Sequence, residues 1–153
     1  MSDDSPRFVR FTPEGFNTFL NVLHETYGSA GNAMIYNMAE KYGKTLILTH
    51  VPNMPDDPQA QIATLKMYAE RFGPLGWGVL TLEDIDLEKG RIRVLIEDRP
   101  FGPSKGSDDT PSDIFTRGVM AGILGAFLKK ELSVEKWDST VGSTNYRIEY
   151  KFS

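Results

Sequence analysis

The chain has no cysteine. Disulfides, thiolate metal sites, iron–sulfur clusters and a cysteine nucleophile are therefore excluded. Histidine is nearly as scarce: His24 and His50 stand far apart, with no acid ladder beside either, so no histidine-based metal site is expected. A basic excess is also missing. Net charge is −4 over 153 residues and the pI is about 5.2, which leaves no electrostatic footprint for nucleic acid. The longest apolar run, Val119 to Leu128, has ten residues. A membrane-crossing helix takes about 20. The first residues, MSDDSPRFVRF, are acidic and polar and do not read as a signal peptide, so the expectation is a soluble, cytoplasmic protein. No Gly-x-Ser-x-Gly elbow, phosphate loop or dinucleotide fingerprint is present, and no catalytic residue is assigned.

What is present is a repeated grammar for starting helices. Thr12-Pro13, Asp57-Pro58 and Thr110-Pro111 each pair a capping residue with proline at the first helical position, and Asp113 completes a capping-box variant after Thr110. The patterns place helices at about 13–27, 30–42 (or on past Gly43 toward Leu48), 58–72 and 111–128. Between and after them the period becomes two. Trp77, Val79, Thr81 and Glu83 alternate with Leu80 and Leu82, and Ile92, Val94 and Ile96 follow across the turn at Gly90. Strands at about 132–140 and 145–152 form a second hairpin. The expected fold is α+β over a single domain, 1–153: an antiparallel four-stranded sheet of two hairpins, with four helices packed mainly on one face. Residues from Arg99 to Pro111 form a long loop rich in Gly, Pro, Ser and Asp, a candidate gate. The acids Glu83, Asp84, Asp86 and Glu88 read as a solvated turn, since the closing glutamate of a calcium loop is missing.

The fourth helix is the unusual one. Gly118, Gly122 and Gly125 recur at i, i+4 and i+7, on one face, and each costs about 1 kcal/mol relative to alanine. A bare face lets a second body approach, and two readings stand: close packing on another element, or the wall of an apolar cavity. On the second reading the ligand-binding residues are Arg117, Gly118, Met120, Ala121, Gly122 and Gly125, with Met34 and Met38 from the second helix. Arg117 would orient an anionic end; alternatively it is solvated or pairs with an acid. The methionines would line an adaptable pocket or are ordinary core. Trp77 and Trp137 are core or interface aromatics, or stack on a ring.

The same stretch resembles the 4-vinyl reductase-type, or hydrocarbon-binding, domain family, whose fold is shared with small subunits of the TRAPP vesicle-tethering complex. The resemblance lies in Arg117-Gly118 through Gly122, Glu135, Gly142 and the closing strand Tyr146-Arg147-Ile148, together with the helix GNAMIYNMAEKYGK. Both family cysteines are missing: Asp138 and Tyr146 stand in their places, so the family's zinc does not carry over. The resemblance implies a ligand-binding α+β domain, usually a homodimer. The first expectation is therefore a stand-alone protein that binds or senses a small apolar or amphipathic molecule, without metal or cofactor and without a nucleic-acid partner. The alternatives are a tetrapyrrole-related enzyme or accessory factor, which the family name alone suggests, and a dimeric scaffold without ligand.

Overall fold

A computed structural model describes residues 7, 9–73, 76–101, 109–139 and 142–153. The elements run α1 (Pro13–Tyr27), α2 (Ser29–His50), α3 (Pro58–Phe72), β1 (Val79–Asp86), β2 (Arg91–Glu97), α4 (Pro111–Leu128), β3 (Ser133–Asp138) and β4 (Tyr146–Lys151). All three expected caps form. Thr12 accepts from the Gly15 amide, Asp57 from Ala60, and Thr110 from Asp113, whose carboxylate accepts in return from the Thr110 amide. Each side-chain acceptor satisfies one amide that the first helical turn leaves free.

The four strands form an open antiparallel sheet in the order β1-β2-β4-β3. Strand alternation divides it cleanly. Leu80, Ile92, Val94, Ile96, Tyr146, Ile148 and Tyr150 are buried on one face. On the other, Arg93 and Arg147 pair with Glu83, and Arg93 also reaches Glu149. The bidentate hydrogen bond from Arg147 holds the Glu83 carboxyl below its usual range. The arginine ends of these pairs remain open to solvent, which screens them and limits what they add to stability.

α4 lies between the apolar face of the sheet and α2. Fifteen of its 18 residues are buried, which makes it a core helix rather than a surface one. α2 is longer than the first sequence boundary. It passes through Gly43 and ends at His50, because Gly43 is not a stop but a contact: a Cβ there would lie 2.3 Å from the Val119 carbonyl oxygen of α4. Trp77, expected on the first strand, precedes it in a bend, and β1 begins at Val79. Among the described residues no helix is long and apolar enough to cross a membrane.

Candidate functional site

The second body against the glycine face is α2. A Cβ on Gly118 would meet the Tyr36 carbonyl oxygen at 2.6 Å and the Ala39 methyl at 2.8 Å; one on Gly122 would meet the Glu40 carbonyl oxygen at 2.0 Å and the Lys44 amide nitrogen at 2.8 Å. Gly43 answers from the other side. Of the two expected readings of the glycine face, close packing on another element is the arrangement seen at Gly118 and Gly122, where the backbone of α2 lies against α4. Gly125 has a third partner, the Lys130 carbonyl oxygen at 2.7 Å from a built Cβ. There the chain turns back through Lys129 in the left-handed region, and the Lys130 amide donates to the Gly125 carbonyl.

The methionines separate as well. Met120 is fully buried, whereas Met34 and Met38 are 43% and 47% exposed on the outer side of α2, so they do not join the glycines around a pocket. Ala121 is packed in the core.

Arg117 takes the acid-paired alternative. Its Nη1 and Nη2 donate to the two carboxylate oxygens of Asp109, each at 2.5 Å, and Nη1 also donates to Tyr146 Oη at 2.8 Å. The guanidinium carbon sits 4.1 Å from the centre of the Trp137 ring, a cation–π contact. Burial would lower the Arg117 pKa, but the bonds to Asp109 and Tyr146 outweigh it and raise it. Tyr150 Oη donates to the Arg117 carbonyl at 2.7 Å, tying β4 to α4. With both terminal nitrogens engaged and the guanidinium against Trp137, Arg117 acts here as a structural post.

Beside it lies a second buried arginine, Arg99, which no local sequence signal marks. The Arg99 side chain is 3% exposed and donates from Nη1 to Asp113 Oδ1 at 2.6 Å. Its guanidinium carbon lies 4.6 Å from the centre of the Tyr146 ring, opposite a network that Arg117 closes from the other side. Asp113 was legible only as a helix cap; it is also the counter-charge of Arg99. The only trace in the chain is an arginine two residues past a strand and just before a proline, too common to signal anything.

Next to Arg99 is a small cavity of about 10 Å³, room for roughly one water. Its walls include Thr116, Val119 and Met120 of α4, Ile96 of β2, Trp77 and Arg99. Thr116 and Met120 project from the side of α4 away from Gly118 and Gly122. The apolar walls belong to an aromatic cluster. Trp77 stacks on Phe115 with ring centres 5.9 Å apart, and Phe101 makes an edge contact with Trp77 at 6.2 Å. The expected gate, the loop from Arg99 to Pro111, lies for residues 102–108 outside the described residues.

Four tyrosines surround this core, and their pKa values are raised. Burial, then the neighbouring Glu40, pushes Tyr36 up to about 12. Burial, then Tyr42, does the same for Tyr68, also to about 12. Tyr146 and Tyr150 are raised mainly by burial. A phenol with a raised folded pKa adds stability that is fully present below the unfolded value near 10 and is lost as pH climbs through the folded value. The melting temperature is therefore expected to fall above pH 10, and near pH 10 phenolate absorbance from these residues should appear only in protein that has unfolded. Phenolate absorbance from all of them near pH 10 in still-folded protein would contradict this.

The architecture, a buried glycine-bearing helix between an antiparallel hairpin sheet and a helical layer, has solved relatives. The phenol-responsive sensory domain of the transcription activator PoxR, solved with phenol, aligns with a TM-score of 0.67 at 18% identity, over 96% of this chain and 77% of that one. TRAPP complex subunit 3 from Naegleria fowleri, covalently bound to palmitic acid, aligns at 0.62 and 13% identity over 92% of both chains. A vinyl-4-reductase family protein from Methanocaldococcus jannaschii aligns at 0.55 and 18% identity, over 97% and 85%. At these identities the likeness establishes a shared fold. No family model matches the chain, and no curated protein matches it.

Proposed function

We propose that this protein binds or senses a small, largely apolar molecule, as a homodimer of the 4-vinyl reductase type. The observation that carries the reading is the fold, with a buried, incompletely satisfied arginine beside a small void in its core. The void beside the buried Arg99 has the mostly apolar walls and few placed polar groups of a small-molecule site, but at about 10 Å³ it has room for one small polar group only, so it serves as the inner end of a site and not as the whole of it. The fold of a phenol-responsive domain and of a palmitate-bearing subunit supports the same reading. Of the residues expected from sequence, Met120 belongs to this seat. Met34 and Met38 instead suit the dimer surface, because with Tyr42 they make an exposed stripe at i, i+4 and i+8 on α2.

Native mass spectrometry of the purified protein tests both halves. The expected spectrum is a dimer carrying a small-molecule adduct, or a dimer whose melting temperature rises with members of an aromatic and lipid panel. A bare species that no panel member stabilises would overturn the binding reading. A monomer at micromolar concentration would overturn the dimer.

A further inference from the structure

Two spaces share Arg99 and Pro100 in their linings. Inward is the cavity of about 10 Å³. Outward is an open depression of about 650 Å³, lined by Gly73, Gly76, Gly78, Val79 and Asp98 together with the same Arg99 and Pro100. The inner space admits one oxygen-sized group and no ring. The outer one has the volume of a small-molecule site. Its floor is partly bare backbone: a Cβ on Gly76 would meet nothing within 4 Å.

Arg99 is incompletely satisfied. Nη1 is taken by Asp113, but Nε, buried, has no hydrogen-bond partner among the described residues. A buried donor left bare is costly, so this N–H calls for an acceptor. The charge balance says which kind. Asp113 already neutralises Arg99, and Asp98 lines the outer depression. A carboxylate arriving here would bring a second negative charge to a pair that is already balanced, and unpaired charge in a buried site is expensive. A neutral acceptor avoids that cost.

Resting on the small-molecule reading above, we propose that Arg99 receives the carbonyl oxygen of a neutral apolar ketone or aldehyde. The oxygen occupies the inner cavity against Nε, and the body of the molecule lies in the outer depression over Gly76 and Val79. No covalent step is involved. Binding draws its affinity from buried apolar area and its selectivity from one hydrogen bond.

The test is calorimetric titration with acetophenone, ethylbenzene and benzoate. Wild-type protein is expected to bind acetophenone about tenfold more tightly than ethylbenzene, and benzoate least. Arg99→Lys keeps a cation for Asp113 but puts a methylene where Nε was. It should bind acetophenone and ethylbenzene alike. Val79→Tyr, at an exposed strand edge, narrows the depression without touching Arg99 and should weaken both while the fold persists. Equal or tighter binding of benzoate would overturn the proposal, as would an acetophenone preference that survives Arg99→Lys. So would an ordered water on Arg99 Nε that acetophenone fails to displace. Ethylbenzene binding without a carbonyl preference sinks this assignment alone. No binding of any probe sinks the small-molecule reading and this assignment with it.

Discussion

Gly122→Ala is expected to destabilise the protein by about 2 kcal/mol or more, and the sign of that change is the informative part. In an open helix the same substitution would stabilise by about 1 kcal/mol, since alanine is the better helix former. Here the new methyl would sit 2.0 Å from the Glu40 carbonyl oxygen and 2.8 Å from the Lys44 amide nitrogen. Both are backbone atoms of α2, which cannot turn aside as a flexible side chain can. The two helices must separate, and the contacts between Gly118 and Ala39 and between Gly43 and Val119 loosen with them. Gly43→Ala meets the mirror-image obstacle and should cost a similar amount. The double variant should cost less than the sum, because one separation relieves both clashes. Urea unfolding of the three variants measures all of this. A stabilised Gly122→Ala would mean that α2 does not press on α4 there.

Asp113→Ala is expected to cost about 3–5 kcal/mol. Two losses combine. The capping box at Thr110 loses its reciprocal partner, worth roughly 1 kcal/mol. Arg99, with a side chain 3% exposed, loses its counter-charge and stays behind as a buried, unpaired cation. Breaking one side of such a pair is more damaging than removing both sides. Arg99→Met combined with Asp113→Ala should therefore be milder than Asp113→Ala alone, apart from the cap. Asp113→Asn, which keeps an acceptor for the Thr110 amide, should fall between wild type and Asp113→Ala. If Asp113→Ala cost no more than a lost cap, the ion pair would not hold this corner of the fold.

Much of the architecture could be read along the chain, because the governing signals are local. Each cap needs only residues three apart, and each hairpin declares itself through alternation about a turn. Errors arise where a local sign has a distant cause. Gly43 reads as the end of a helix, since glycine is the usual residue just past one. It is interior because α4 crosses there. Likewise the glycines of α4 announce a close approach without saying to what, and α2 answers at Gly118 and Gly122 whereas the returning chain answers at Gly125.

The site was less legible for the same reason. Arg117 could be marked as functional or paired, but Asp109, Tyr146 and Trp137 converge on it from a loop and two strands. Arg99 and Asp113 are 14 residues apart, and the role of Asp113 in the cap already accounted for it locally. Nothing in either residue's own neighbourhood hints that the fold closes them into one buried pair beside a void. Met34 and Met38 show the converse: helical spacing gave them a common face, and only the position of α4 shows that the face points outward.

On the binding reading proposed above, α4 offers a ligand its Thr116–Met120 side and not its glycines. The most direct measurement is a two-dimensional NMR titration with acetophenone, following the Arg99 Nε–H, the Trp77 indole N–H and the backbone amides of α4. Saturable shifts are expected at Arg99, Trp77 and Met120, with Gly118 and Gly122 nearly still. Shifts centred on Gly118, Gly122 and the Met34 and Met38 methyls, with Arg99 Nε–H unmoved, would contradict it.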